Sequence, residues 1–344
     1  MRRFALAALA AALATPVGTG LADPEPLPLL GVNYTHFAVA GCSLDGTGIL
    51  AGYALPGVED TVRSQLDAMR AGGVDTLRLI LWYRNDLPAE PWGVVASTPD
   101  GLSPQARDNL AAYLRDVRDA GFRRITVSFA PSGAESPKWP TYDPATLDEA
   151  WRLVADVHTL AERYGPAETR FDLLNEGVPL TWWSPAAVAR VDSYLAALYG
   201  RYVSAFGNLD VTVSAFLGGA SLNTLLDALS AAGEPYPTWF EVHLWTAGRA
   251  AALRALNGFD SVLSRRGSDA GLVVGEAPYA DRETGAAVGQ FIETSDRPVE
   301  ELLEWPLARG SRCRDESESP PYSVDVYRDA LANPPPLPTR PRLG

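Results

Sequence analysis

The sequence has 344 residues, 47% of them hydrophobic and 21% charged, with a formal net charge of −13. Such a length and apolar content suit one large domain, or two small ones, with a sizeable core. The acidic balance sets the chain against nucleic acid and anionic membrane surfaces as partners, and argues against a strongly acidic polysaccharide.

In chain order, Arg2 and Arg3 form a short basic head before an apolar run of Ala and Leu, and Gly20-Leu21-Ala22 supplies the small residues of a cleavage site. This predicts a signal peptide over 1–22, cut after Ala22. Thr15, Pro16 and Gly18 interrupt the apolar run well before the ~20 residues that a membrane span needs. The expectation is a protein without a membrane span, secreted or periplasmic, with one domain over 23–332. From Asn333 the chain carries Pro334, Pro335, Pro336, Pro338 and Pro341, which predicts an extended, poorly ordered tail over 333–344. Cys42 and Cys313 are the two cysteines. In an exported chain they suggest one disulfide, provided that the fold brings its two ends together.

Strand-like runs are read at 30–36, 75–82, 124–130, 169–175, 209–216, 239–245, 271–276 and 299–305. The last, Val-Glu-Glu-Leu-Leu-Glu-Trp, is the weakest, and propensity alone would allow it to be helical. Amphipathic segments of helical length lie between them, among them 58–72, 104–120 and 146–164. Ser103 before Pro104 reads as an N-cap with proline in the first turn, and Gly121 and Gly165 fall where helices would stop. Strand alternating with helix implies a parallel sheet. Eight such units predict an α/β protein with a single (β/α)8 TIM barrel. A doubly wound open sheet is the alternative, but no Gly-x-Gly-x-x-Gly turn follows the first strand.

The fourth run, ending Leu173-Leu174-Asn175-Glu176, closes an apolar stretch with an amide and a carboxylate. A buried acid costs free energy unless it has a partner or a task. The seventh run ends in Gly275-Glu276, one hundred positions after Glu176. In a barrel of this kind the site lies at the carboxyl ends of the strands. Reading those ends in order collects Tyr34 and His36, Arg78 and Trp82, Asn175 and Glu176, His243 and Trp245, Glu276 and Trp305. Two carboxylates suit acid/base and nucleophilic work at a glycosidic bond, and indole faces suit sugar C–H groups. Trp182 and Trp183, just past Glu176, are further stacking candidates. Plainer roles stand beside these: Arg78 as an interior ion pair, His243 as a core histidine, Trp182 and Trp183 as loop packing. His158 is read as structural.

At these residues the sequence resembles the retaining glycoside hydrolases of clan A, closest to family 5, the cellulase-like barrels. The resemblance covers roughly 30–310 and is sharpest at Asn175-Glu176 and Gly275-Glu276, with Arg78, His243 and Trp305 also matching. It implies that Glu176 is the acid/base, Asn175 binds the sugar 2-hydroxyl, and Glu276 is the nucleophile. It also implies that Arg78 and His243 support the site and that Trp305 floors the sugar subsite. On this reading Glu176 needs a raised pKa and Glu276 stays ionised beside Arg78. Two positions depart from the family. The third strand region, Val127–Gly133, has no histidine, and the sixth strand ends His243-Leu244-Trp245 rather than His-x-Tyr. The hydrogen bond that the tyrosine would give the nucleophile then falls to Trp245, Tyr34 or Tyr279.

Rival barrel chemistries fit less well. Lys138 is the single lysine and lies in a loop, so no strand offers a Schiff-base lysine. Three histidines are too few for the usual binuclear hydrolase. The sequence thus predicts a monomeric glycosidase acting on carbohydrate, with no metal and no cofactor. A catalytically silent carbohydrate-binding barrel and a cell-surface transglycosylase remain as alternatives. Closure of the barrel would make the loops after the first and last strands neighbours and pair Cys42 with Cys313.

Overall fold

The computed structural model describes residues 27–35, 48–85, 93–180, 182–216, 222–246, 248–306 and 323–333. The expected signal peptide over 1–22, His36, the expected Cys42–Cys313 disulfide and the expected tail beyond Asn333 lie outside these residues. The strands are β1 (Leu29–Asn33), β2 (Thr76–Arg84), β3 (Val94–Thr98), β4 (Gly101–Leu102), β5 (Arg124–Pro131) and β6 (Glu168–Asp172). They continue with β7 (Val211–Thr212), β8 (Ser214–Phe216), β9 (Trp239–His243), β10 (Gly271–Ala277) and β11 (Val299–Glu304). The helices are α1 (Ile49–Gly52), α2 (Val58–Ala71), α3 (Pro104–Asp119), α4 (Leu147–Tyr164) and α5 (Pro185–Phe206). They continue with α6 (Leu222–Ala232), α7 (Arg249–Arg265), α8 (Arg282–Thr294) and α9 (Asp325–Ala332).

Hydrogen-bonded neighbours run β7-β6-β5-β2-β1-β11-β10-β9-β8. The path begins and ends on β7 and β8, which only Val213 separates, so these are two halves of one strand and the sheet closes on itself. Leu173 N donates to Thr212 O, and Glu241 N donates to Val213 O, tying the halves to either side. The result is a (β/α)8 barrel in which α2 to α9 follow the eight strands in turn. The expected single strand over 209–216 is therefore broken at Val213, where its neighbours change over. β3 and β4, a small hairpin after β2, were not foreseen.

Outward-facing Leu77, Leu79 and Leu81 of β2 are buried under the helices, as both faces of a parallel strand require. Ser103 caps α3 by accepting from Ala106 N at 3.3 Å, with Pro104 in the first turn, as the sequence predicts. Inside the barrel the filling is ionic rather than aliphatic. Arg124 Nη1 donates to Glu301 Oε1 at 2.7 Å, Thr76 Oγ1 donates to Glu301 Oε2 at 2.8 Å, and Arg170 pairs with Glu300 and Glu301. This explains the last run. Its glutamates give it a helical composition, yet Glu301 turns inward to two arginines and the segment is a strand.

Candidate active site

The register sets Arg78 of β2 beside Asn33 of β1 and Thr126 of β5. From there the guanidinium, which is fully buried, gathers the site around it. Nη1 donates to Asn33 Oδ1 at 3.1 Å and to Glu276 Oε1 at 3.0 Å. Nη2 donates to Asn175 Oδ1 at 2.7 Å, Ser128 Oγ at 3.0 Å and Asp172 Oδ2 at 3.2 Å. Nε lies 2.7 Å from Glu241 Oε1. Three carboxylates thus surround one buried cation, an arrangement that holds only while every partner is present. Gly275 makes room for it: a Cβ there would stand 1.9 Å from Glu241 Oε1. Glycine in the Gly275-Glu276 pair is therefore a packing requirement of Glu241.

His243 joins the two glutamates singled out by the sequence. Its Nδ1 is 3.1 Å from Glu176 Oε1 and 3.5 Å from Glu276 Oε1, and its Nε2 is 2.9 Å from Glu241 Oε1. Burial by itself would lower the His243 pKa, but the charge of Glu276 and the hydrogen bonds to Glu176 and Glu241 outweigh it and raise it to about 9. This direction favours the protonated ring, whose Nδ1 hydrogen-bonds Glu176 Oε1 and has Glu276 Oε1 as a more distant charge partner.

Glu176 departs from expectation in two ways. The strand leading to it stops at Asp172, three residues before Asn175, because Asn175 N crosses to Phe129 O at 2.7 Å and Glu176 takes a positive φ of 49°. Its carboxyl is also held below the ordinary glutamate range, not above it. Burial pushes upward, but His243, Lys138 and Arg78 together pull it down.

Glu276 is nearly buried, and both of its oxygens are bound: Oε1 by Arg78, and Oε2 by Trp245 Nε1 at 2.8 Å. Of the three candidates for this second bond, the indole makes it. Trp305 meets Trp245 edge to face, with ring centroids 5.8 Å apart, so two indoles line the side of the mouth next to Glu276. One acceptor or donor atom from each of Glu176, His243 and Glu276 falls within 4.8 Å of the others. Among the described residues this is the trio that could hold a cation. His243 would first have to lose a proton that its surroundings favour.

Tyr34 does not reach the site. It is buried among the helices, where its hydroxyl donates to Gln65 Oε1 on α2 at 2.5 Å and its ring lies 6.4 Å from that of Tyr113. The preceding residue, Asn33, faces inward instead, because side chains alternate along a strand. Trp182 is 72% exposed, whereas Trp183 packs partly against the core, so the pair divides between open surface and loop packing. His158 stacks on Phe206 at 3.7 Å, the structural role that the sequence gave it.

Sequence reading overlooked Asn33, Ser128, Asp172, Ser214 and Glu241, and dismissed Lys138. Period two was the available signal: Glu241 precedes His243 by two, and Asp172 follows Arg170 by two. Lys138 gave none, since its loop brings it over the mouth only in three dimensions. There its ammonium donates to Asn175 O.

Comparison with protein-family models and with curated proteins gives no match. Solved structures do resemble the chain. An endo-1,4-β-mannanase from Eisenia fetida superposes with a TM-score of 0.58 at 13% identity, covering 91% of this chain and 92% of that one. A GH5 family lichenase from Caldicellulosiruptor sp. F32 gives 0.55 at 15% identity, covering 89% and 92%. The exo-β-1,4-mannosidase Op5Man5 from Opitutaceae bacterium strain TAV5 gives 0.57 at 15% identity, and there the chain spans 60% of the longer protein. At these identities the likeness is one of fold: the chain has the (β/α)8 barrel found in these glycoside hydrolases.

Proposed function

We propose that this protein is a retaining O-glycosidase of the clan A type, acting on a β-linked, neutral or weakly charged glycan. The observation that carries the reading is the pairing of Glu276, bound by Arg78 and Trp245, with a Glu176 oxygen within 4.8 Å across the mouth. Retaining enzymes hold their carboxyl groups about 5–5.5 Å apart, and inverting ones leave about 6.5–9.5 Å for a water. His243 Nδ1 stands 3.1 Å from a Glu176 oxygen and 3.5 Å from a Glu276 oxygen, so the two acids meet at one bridging atom, which favours direct attack by Glu276 on the anomeric carbon. Glu176 gives its proton to the departing oxygen, and a glycosyl ester forms on Glu276. Glu176 then takes a proton from water, the water oxygen attacks the anomeric carbon, and the ester bond breaks to free Glu276. In this reading Asn175, whose side chain accepts from Arg78, meets a sugar hydroxyl, and Trp245 and Trp305 offer apolar faces to the ring.

The named activities of the mannanase and the mannosidase support a β-linkage. The leader-like residues 1–22 support export, secreted or periplasmic, and the protein is proposed to act as a monomer. Turnover of a panel of aryl β-glycosides and β-linked polysaccharides tests the reading, with Glu176→Ala and Glu276→Ala alongside. Loss of turnover in Glu276→Ala, and a loss in Glu176→Ala that is worst for poor leaving groups, is expected. Binding without turnover across the panel would instead make the protein a carbohydrate-binding barrel.

A further inference from the structure

Glu176 is one of two non-glycine residues with positive φ among the described residues, and such a conformation persists only where its surroundings enforce it. The peptide unit that leads into it is held at both ends by side chains. Its N–H, on Glu176, donates to Ser214 Oγ at 2.6 Å. Its carbonyl, on Asn175, accepts from the Lys138 ammonium. Lys138 is itself anchored: Arg190 of α5 donates through Nε to Pro137 O at 2.7 Å and through Nη2 to Lys138 O at 3.5 Å. The single lysine of an acidic chain is thus fixed over the barrel mouth, half-buried, by a helix on the outside.

We propose that Lys138 is a positioning residue: its ammonium, with the Ser214 hydroxyl opposite, locks the Asn175–Glu176 peptide unit in its left-handed turn and so aims the Glu176 carboxyl at the reacting bond. That Glu176 is the acid/base rests on the glycosidase reading; the lock itself does not. The ammonium has a second effect. Glu176 faces positive charge from His243 on β9, Arg78 on β2 and Lys138, and negative charge from Glu276 on β10, Asp172 on β6 and Glu241 on β9. Lys138 is among the groups that lower the Glu176 pKa, and burial lowers its own against the opposing charges of Glu176, Asp172 and Glu276. Hydrophobic replacement removes both the donor and the charge. Arginine keeps both, and glutamine keeps only the donor.

The test uses Lys138→Met, Lys138→Gln and Lys138→Arg in the full chain. The first readout is the titration of Glu176, followed by carbon NMR of carboxyl-labelled glutamate and assigned with Glu176→Gln. The second is kcat and KM for aryl glycosides with good and poor leaving groups. Lys138→Met is expected to raise the Glu176 pKa and to cut kcat for poor leaving groups by about tenfold to a hundredfold, with KM little changed. Lys138→Gln should raise the pKa but keep more of kcat, and Lys138→Arg should restore both. If Lys138→Met is too unstable to study, Lys138→Gln and Lys138→Arg still separate charge from donor. An unshifted Glu176 titration with unchanged kcat in Lys138→Gln and Lys138→Met overturns the proposal while leaving the glycosidase reading intact. A Glu176 titration that Lys138→Met shifts, in a protein whose wild type turns over no glycoside, keeps Lys138 beside Glu176 and overturns the glycosidase reading.

Discussion

The indole N–H of Trp245 donates to Glu276 Oε2 at 2.8 Å, while Arg78 holds the other oxygen of the same carboxylate. A hydrogen bond to a charged acceptor contributes about 1.5–3 kcal/mol. In the proposed reaction it also fixes the attack angle of Glu276. Trp245→Phe keeps an aromatic face, smaller than the indole, and removes the donor. Its kcat is expected to fall by about tenfold to a hundredfold, with the edge-to-face contact to Trp305 retained. Unchanged steady-state kinetics in Trp245→Phe would count against this role.

Gly275→Ala tests the buried charge cluster without touching a charge. The new Cβ meets Glu241 Oε1, so the carboxylate must leave Arg78 and His243. Breaking a buried ion pair costs about 3–5 kcal/mol, because the remaining charge is left without its partner. A loss of that order is expected in the urea unfolding free energy, with turnover lost as well. A change below about 1 kcal/mol, within the range of tolerated core swaps, would mean that Glu241 has another place to go.

Stability should decline toward alkaline pH. The His243 pKa is raised from 6.5 to about 9 in the folded protein, so its contribution is fully present below 6.5 and is lost as pH rises through about 9. Glu304 at the end of β11, raised by burial from 4.5 to about 7, acts in the same direction at lower pH. The His243 shift corresponds to on the order of 3 kcal/mol. Melting temperature measured across this range is expected to fall on the alkaline side, and His243→Gln should flatten the alkaline part of the fall. A melting temperature level from neutrality to the alkaline side would contradict the shift.

Activity should favour acid. Glu176 is held low mainly by His243 and Lys138, so its protonated, donating form becomes scarce as pH rises toward neutrality. The falling limb of kcat/KM is expected on the acid side of neutrality, and His243→Asn is expected to move it to higher pH because the largest cationic influence is gone. A limb unmoved by that substitution would assign it to another group.

Much of this was legible in the sequence where one residue type carries one meaning. Alternating strands and helices gave the barrel, and polar residues closing apolar runs located Glu176 and Glu276. Ser103-Pro104 fixed a helix start to the residue. What escaped depended on partners remote in sequence. The last run reads as a strand, the weakest of the eight, and what secures it, Glu301 facing Arg124 and Arg170, lies far away in sequence. Tyr34 and Asn33 differ by one position, and a one-residue difference along a strand exchanges the faces. Lys138 enters the site through a loop, where no periodicity exists to read. The raised pKa expected of Glu176 failed for the same reason, since two of the cations that lower it, His243 and Lys138, are 67 and 38 residues away along the chain.

The central claim is that Glu276 attacks carbon while Glu176 serves first as acid and then as base. Proton NMR of the sugar first released from a hydrolysed glycoside, recorded before mutarotation, measures this directly. A first-formed anomer with the configuration of the substrate is the predicted result. The opposite anomer would mean that water, not Glu276, makes the attack, and would contradict the account.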